Sequence, residues 1–277
     1  AIVDQIGESD SSVLITGETG TGKELMARAI HNHSPRRDQP FITINSGALP
    51  DSLLESELFG YKAGAFTDAK SDRQGLFGAA GEGTILLDEI GDTSMAFQVK
   101  LLRVLEASEY TPLGSTSPVR TDARIITATN RDLLDMVDRQ EFRRDLFYRI
   151  NIITLALPPL RERREDIPLL VDRFIDKMNR RRGRVVSGMS PEAADVLVSH
   201  NYPGNIRELE NIIEHAFVLC RNDEIKVGHL PASIIRGSAM GAATGAPADY
   251  RSATAASEKE TIIKALARHG YNRSAAA

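Results

Sequence analysis

The sequence predicts a three-layer α/β domain with a five-stranded parallel sheet, followed by a small helical lid domain. Two observations support this fold class. Five short runs rich in Val, Ile, Leu and Thr alternate with helical patterns up to Pro158-Pro159, as in strands joined by crossover helices. After Pro168 only helical patterns follow. We therefore expect an α/β domain at residues 1–165 and a lid domain at residues 166–235.

The first predicted strand, 13–16, leads directly into a glycine-rich stretch and then into a helical pattern. The stretch comprises Gly17, Glu18, Thr19, Gly20, Thr21, Gly22, Lys23 and Glu24. A glycine-rich turn before a helix start directs N–H groups and the helix dipole at phosphate. The Gly-x4-Gly-Lys spacing places Lys23 to reach the β- and γ-phosphates. Glu24 stands where Ser or Thr commonly helps to hold Mg²⁺. A chance turn is the disfavoured alternative.

The second and third predicted strands end in polar side chains. The second, 41–45, ends in Asn45, and a helix should follow with Asp51-Ser52 near its N-cap. The third, 83–89, ends in the pair Asp88 and Glu89. Ligands of open parallel sheets bind beyond the strand carboxyl ends, so Asp88 suits Mg²⁺ and Glu89 suits the attacking water. Alternatively, the two acids only cap the next helix.

The last two predicted strands complete the sheet. The fourth, 124–130, ends in Thr129 and Asn130, which are candidates for sensing a γ-phosphate. The fifth, 152–157, stops at the two prolines. Between the third and fourth strands lie an apolar helix at 97–105 and a hairpin or excursion at 110–120.

A dense group of arginines precedes the fifth strand. Arg143, Arg144 and Arg149 lie within eight residues, 142–149. An arginine that reaches the γ-phosphate of a neighbouring subunit would raise the rate by about 10³–10⁵-fold in comparable systems. The alternative is a solvated basic helix face.

Another glycine-rich stretch, 60–69, carries an aromatic residue between small ones. It contains Gly64, Ala65, Phe66, Thr67, Asp68 and Ala69. From the residues alone it is either a binding loop or a surface turn whose Phe66 folds back into the core.

The region after Pro168 is predicted to form a helical lid, followed by a linker and a further helical segment. Helical patterns fill 166–181, 191–200 and 205–221, and Arg207 lies just inside the last one, where it could touch a nucleotide. The alternative is a surface arginine near a helix start. Residues 236–256 are rich in Ala, Gly, Ser and Thr and are expected to form a flexible linker. A further helical pattern is predicted within 257–277.

Composition excludes several classes of protein. The net charge is −4, from 34 basic and 38 acidic residues, so no global basic field attracts nucleic acid. A single cysteine excludes a disulfide framework and favours a cytoplasmic protein. No apolar run has membrane-spanning length, and no histidine pair has metal-ligand spacing. The chain begins without Met, so we expect sequence upstream.

Taken together, these motifs resemble the AAA+ central domain of bacterial enhancer-binding proteins, the activators of sigma-54 RNA polymerase. The resemblance covers residues 1 to about 235. Its most specific carriers are the stretches 17–24, 57–60, 64–69, 87–90 and 157–163. A glutamate after the loop lysine is usual in that family.

The resemblance implies an ATPase ring, a hexamer or heptamer, with ATP and Mg²⁺ between subunits. Lys23 and Asp88 would handle phosphate and metal, and Glu89 the water, with Asn45 as its switch partner. Thr129 and Asn130 are similar to the first sensor and Arg207 to the second, and Arg143 and Arg149 to the trans-acting arginines. Residues 64–69 would bind sigma-54 through Phe66 and Thr67.

The resemblance also has a departure and leaves rivals. Asp68 replaces the usual Gly and adds charge at the loop tip, which favours a regulator that acts without sigma-54. A DNA-processing motor would need basic pore residues, and the loop offers only Lys62 and Lys70. A pure nucleotide-dependent scaffold is disfavoured by the intact Asp88-Glu89 pair. Residues 257–277 resemble the start of a Fis-like helix-turn-helix without its reading helix, so we expect DNA binding only from a complete C-terminal domain.

Overall fold

The computed structural model of the protein describes residues 2–221 and 224–235. The chain divides into two compact units, Ala1–Pro231 and Ala232–Ala277, and every element named below belongs to the first. The predicted linker at 236–256 and the predicted helix-turn-helix at 257–277 lie outside the described residues, so both stay predictions.

Strands and helices alternate along the first unit. In chain order the strands are β1 (Val13–Thr16), β2 (Phe41–Asn45), β3 (Gly60–Tyr61), β4 (Arg73–Gln74), β5 (Thr84–Asp88), β6 (Glu109–Tyr110), β7 (Val119–Arg120), β8 (Arg124–Thr129), β9 (Ile153–Ala156), β10 (Gly188–Met189) and β11 (Glu224–Ile225). The helices are α1 (Ile2–Glu8), α2 (Lys23–Asn32), α3 (Asp51–Phe59), α4 (Leu76–Ala80), α5 (Met95–Ala107), α6 (Leu133–Asp138), α7 (Arg144–Ile150), α8 (Ile167–Arg182), α9 (Pro191–Ser199) and α10 (Asn205–Leu219).

Five parallel strands form the central sheet, as the sequence predicts. Their order is β2-β5-β8-β1-β9, and each neighbouring pair is parallel. The strand β8 is buried at all of its positions because it lies in the middle of the sheet. It separates the strand before the glycine-rich loop, β1, from the strand that ends in Asp88, β5. The carboxyl ends of these three strands therefore meet at one edge.

Two apolar cores cover the two faces of this sheet. One contains an aromatic group in which Phe59 stacks on Phe77 with a 5.8 Å centroid distance, beside Phe97 and Tyr110. The other contains Ala27 and Ile30 of α2, packed with residues of β1 and β8. Helices on both faces of a parallel sheet make the predicted three-layer α/β arrangement.

Several short elements depart from the sequence-based expectations. A two-residue antiparallel pair, β3–β4, closes the 60–74 loop. The antiparallel pair β6–β7, by contrast, confirms the hairpin, one of the two alternatives predicted for 110–120. A two-residue parallel pair, β10–β11, lies in the region expected to be wholly helical. Pro50, and not Asp51 or Ser52, is the N-cap of α3. Strands of two residues are too short to produce a recognisable alternation of polar and apolar residues.

Each of the three lid helices buries apolar side chains. In α10 the side chains of Leu209, Ile212, Ile213, Ala216 and Phe217 are buried. Cys220, which follows this helix, is also buried, as expected of a small core residue. None of the helices among the described residues is long and apolar enough to cross a membrane.

Candidate functional site

The glycine-rich loop after β1 forms a tight cradle at the start of α2. Gly20 has a φ of 82° and Gly22 has a φ of 98°, which side chains other than glycine adopt at a cost. A Cβ on Gly20 would lie 2.3 Å from the carbonyl oxygen of Gly204, so the lid also requires glycine there. No side chain caps the amino end of α2. Its first-turn N–H groups lack intrahelical acceptors and suit an anion.

Lys23 turns back over this loop. Its Nζ donates to the carbonyl oxygens of Gly17 at 2.8 Å and Glu18 at 3.2 Å. The side chain is largely buried, and burial lowers the Lys23 pKa. The carboxylates of Asp88 and Glu89 act on that pKa in the opposite direction. The lysine and the acidic pair are therefore within electrostatic reach of one another.

Asp88 and Glu89 end β5 next to the cradle, and their surroundings differ. Burial raises the pKa of the Asp88 carboxyl. The N–H of Glu89, which donates to Asp88 Oδ1 at 3.0 Å, and the charge of Lys23 both lower this pKa and so oppose the effect of burial. Glu89 has a φ of 57°, in the left-handed region that glutamate rarely adopts. Such backbone conformations concentrate at functional sites, where the surrounding structure maintains them.

The end of β8 also contacts the loop. The Nδ2 of Asn130 donates to Thr19 Oγ1 at 3.0 Å, so this candidate sensor touches the cradle directly. Thr129 is fully buried, and its Oγ1 accepts from the N–H of Arg131 at 3.0 Å.

Asn45 lies opposite Asp88 in the register of β2 and β5. Its Oδ1 accepts from the N–H groups of Gly47 and Ala48, both at 2.9 Å. A Cβ at Gly47 would lie 3.0 Å from Glu89 Oε2, so the Glu89 carboxylate packs against the turn that Asn45 organises. The amide oxygen is used within the turn, and the switch pairing of Asn45 with Glu89 stays a prediction.

Two residues that the sequence analysis did not single out, Arg161 before the lid and Asn205 within it, contact the glycine-rich loop. Arg161 pairs in a bidentate manner with Glu18, at 2.6 and 2.8 Å. These hydrogen bonds, followed by one from Asn205, lower the pKa of Glu18 to about 2. Arg207 follows Asn205 by two residues and acts electrostatically on Lys23. The 157–163 motif and the Pro203-Gly204-Asn205 turn are the sequence signals that could have indicated these contacts.

Arg143 and Arg149 have other partners within the chain. The guanidinium of Arg143 pairs with Asp145 at 2.5 Å. The guanidinium of Arg149 donates to the carbonyl oxygen of Leu105 at 2.6 and 3.0 Å. Arg149 borders a cavity with Ser12 and Arg124, which lie at the amino ends of β1 and β8. It therefore lies at the sheet edge opposite to the glycine-rich loop.

The 60–74 loop has a fixed base and an exposed tip. Lys62 forms an ion pair with Asp72 at 2.6 Å, and Asp72 also accepts from the N–H of Ala63. Phe66 remains 45% exposed and contacts Tyr61 edge-on at 4.9 Å between ring centroids. The alternative of a Phe66 folded into the core is wrong.

The rest of this loop forms a compact turn. The N–H of Gly64 donates to the carbonyl oxygen of Ala69 at 2.8 Å. Ala69 is buried, whereas Gly64, Thr67 and Asp68 are exposed and Ala65 is partly exposed. The tip therefore offers an aromatic ring, a hydroxyl and a carboxylate to a partner.

The residues at the sheet edge fit a nucleotide better than a metal bound by protein alone. Among the described residues no group of three or more His, Cys, Asp or Glu side chains could hold a metal ion. Mg²⁺ in nucleotide sites commonly takes one or two carboxylates together with phosphates and water. A single half-buried Asp88 beside a phosphate cradle is consistent with that mode.

Family models match most of the chain. Residues 1–156 match the Sigma-54 interaction domain, and residues 161–246 match the AAA+ ATPase lid domain. The first match alone covers more than half of the chain. The chain belongs to the sigma-54 interaction domain family. This family membership confirms the resemblance inferred from the sequence, and the AAA+ fold class with it.

Curated relatives of this sigma-54 interaction domain are named as regulatory proteins. The transcriptional regulatory protein ZraR of Salmonella typhimurium is 46% identical over 98% of this chain and 61% of its own length. The regulatory protein AtoC of Escherichia coli is 53% identical over 83% of this chain and 50% of its own length. The Nif-specific regulatory protein of Herbaspirillum seropedicae is 51% identical over 83% and 42%. The chain thus spans about half the length of these relatives.

Solved structures agree on the fold. NtrX from Brucella abortus in complex with ATP has a TM-score of 0.75 at 34% identity, covering 99% of this chain and 61% of that one. Its complex with ADP has a TM-score of 0.79. Hsp104 in complex with ATPγS and casein has a TM-score of 0.58 at 18% identity, a likeness that concerns the fold alone.

Proposed function

We propose that this chain is the ATP-hydrolysing part of a transcriptional activator that remodels closed complexes of sigma-54 RNA polymerase. The observation that carries the proposal is the meeting of four candidate side chains at one sheet edge. Lys23 lies within electrostatic reach of Asp88 and Glu89, and Asn130 contacts the same loop. Family membership and the ATP complex of NtrX, a 34% identical protein, support the choice of ATP.

The proposed roles follow from the chemistry of each group. The N–H groups of residues 17–24 and the Lys23 ammonium bind the phosphates. Asp88 would hold Mg²⁺, and the ion would supply positive charge beside the phosphates. Glu24 is too far out in solvent, with a 56% exposed side chain paired to Arg28, to be assigned a metal role.

Glu89 orients the attacking water and accepts its proton at a carboxylate oxygen. The left-handed backbone at Glu89 fixes the direction of that side chain. Thr129 and Asn130 are proposed to report the state of the γ-phosphate, and Asn45 is proposed to act as the switch partner of Glu89. Arg207 is proposed to reach the phosphates from the lid.

We further propose that active sites are shared within a ring. Arg143 and Arg149 have no place at the loop of their own chain, since both bind elsewhere. If each of these arginines instead reaches the nucleotide of a neighbouring subunit, hydrolysis depends on assembly of the ring. Ring assembly as a hexamer or heptamer in the cytoplasm is part of the proposal, as is DNA binding by a complete C-terminal domain.

The exposed 64–69 tip is proposed to bind sigma-54 through Phe66 and Thr67. An exposed aromatic residue on a supported loop is a suitable anchor for a protein partner. Asp68 favours the second candidate, a regulator that acts without sigma-54, because its carboxylate lies exposed at the tip.

A pull-down separates the two candidates. The protein, trapped with a transition-state analogue of ATP, should retain sigma-54, and Phe66→Ala should lose sigma-54 while keeping its rate of phosphate release. Leu169→Ala, at an exposed leucine of α8, is the matched control. Absence of sigma-54 retention by the trapped wild-type protein, with normal phosphate release, would favour the second candidate.

A further inference from the structure

Asn205 lies where the lid meets the phosphate loop. The residue is fully buried, at 0% exposed, and begins α10 with a φ of 52°. Asparagine is several times more common than most side chains in this left-handed region. The turn thus provides a polar side chain inside the molecule, where a missing hydrogen bond is costly.

The Asn205 carboxamide joins three separate segments of the chain. Its Oδ1 accepts from the N–H of Leu160 at 2.8 Å. Leu160 lies in the segment 157–165 between β9 and the lid, here called the hinge. Its Nδ2 donates to Glu18 Oε2 and to the carbonyl oxygen of Thr19, both at 3.1 Å. Only an amide side chain offers an acceptor on one side and two donors on the other.

Adjacent contacts attach the same stretch of loop to the lid side. They join Arg161 to the Glu18 carboxylate, the N–H of Ile206 to the carbonyl oxygen of Gly20 at 2.9 Å, and Arg163 Nη2 to the carbonyl oxygen of Thr21 at 2.9 Å. Each residue from 18 to 21 is therefore hydrogen-bonded to the hinge or to the lid.

These contacts continue to the groups that would bind phosphate. The carbonyl oxygen of Glu18 accepts from Lys23 Nζ at 3.2 Å, so a shift of Glu18 weakens one of the two hydrogen bonds that hold the lysine, the other being to Gly17 at 2.8 Å. Arg207 follows Asn205 within the first turn of α10. We infer that Asn205 is a positioning residue that couples the lid to the phosphate loop and holds Arg207 and Lys23 in one arrangement. The inference rests on the proposed nucleotide-binding function.

The test uses an isosteric substitution in the whole chain. Asn205→Asp removes both donors and sets a carboxylate beside that of Glu18. We expect at least about tenfold weaker binding of a non-hydrolysable ATP analogue, from two lost hydrogen bonds and a like-charge contact. In the nucleotide-free protein we expect faster hydrogen exchange of loop amides 19–24. Asn201→Asp, in the same turn, is the matched control, because Asn201 contacts Arg164 at 2.8 Å.

A double variant distinguishes the loss of a positioning contact from a general loss of stability. In the Asn205→Asp background, Glu18→Gln supplies an amide donor to the new carboxylate and should recover part of the lost affinity. Asn205→Gly keeps the left-handed backbone, removes the side chain, and provides a second variant if Asn205→Asp unfolds. Thermal melting checks the fold of each variant.

Three results would overturn the inference or its basis. Binding and loop exchange within twofold of wild type in folded Asn205→Asp and Asn205→Gly would remove the role of Asn205. An equal loss in Asn201→Asp would show that the turn, and not the carboxamide, matters. Failure of the wild-type protein to bind the analogue would instead refute the proposed function. Hydrogen exchange of the loop amides in the nucleotide-free variants would still test whether Asn205 couples the lid to the loop.

Discussion

Replacement of Lys23 by alanine is expected to remove most of the affinity for ATP. In the structure the Lys23 ammonium makes two hydrogen bonds to loop carbonyl oxygens, at 2.8 and 3.2 Å. These hold it over the cradle, so that little reorganisation is needed when phosphate oxygens arrive. Because the side chain is largely buried, water screens its charge weakly.

The magnitude follows from the bonds that are lost. A hydrogen bond between a charged donor and a phosphate contributes about 1.5–3 kcal/mol. Contacts to the β- and γ-phosphates therefore contribute about 3–6 kcal/mol, so Lys23→Ala should weaken binding by about 10²–10⁴-fold.

Titration calorimetry with a non-hydrolysable ATP analogue measures this loss. Lys177→Ala is the matched control, because Lys177 is an exposed lid lysine that pairs with Glu210 at 2.6 Å. A folded Lys23→Ala protein that binds the analogue within threefold of wild type would refute the assignment of the loop.

Three further predictions test other groups. Glu89→Gln should bind the analogue normally and release phosphate about 10²–10⁴-fold more slowly; weak binding with normal turnover would contradict the assignment. Arg149→Ala should be inactive alone and regain phosphate release when mixed with inactive Lys23→Ala; no recovery at any mixing ratio argues against sharing of sites. The Glu18 pKa is depressed to about 2 from 4.5, so its stabilising contribution is present above pH 4.5 and is lost as the pH falls towards 2. Because Glu18 is exposed, Glu18→Gln should cost below about 1 kcal/mol at pH 7, and the gap in melting temperature to wild type should narrow at pH 3; a constant gap would contradict this ion pair.

The central sheet could be predicted because its strands are locally encoded. The run at 41–45 is β-branched, follows a proline and coincides with β2 residue for residue. The site residues at the ends of β5 and β8 follow from the same reasoning, since parallel strands align their carboxyl ends. The lid stripe of α10 is a simple helical period.

The contacts between distant segments could not be predicted in this way. Asn205 and Glu18 are 187 residues apart, and no periodic pattern links them. The two-residue strands β10 and β11 pair only because the lid brings them together. Asn45 ends a predicted strand, but the use of its amide oxygen by Gly47 and Ala48 depends on the shape of the following turn.

The narrow base of the 60–74 loop has a mechanical consequence. Gly60 pairs with Gln74, and Leu113 of the adjacent hairpin bonds to both Gly60 and Lys62. A loop that is hydrogen-bonded at its base moves together with that base. Phe66 lies six positions after Gly60, and its ring contacts Tyr61 at the base with 4.9 Å between ring centroids. Because the two rings are packed together, a tilt of the base would carry the aromatic tip with it.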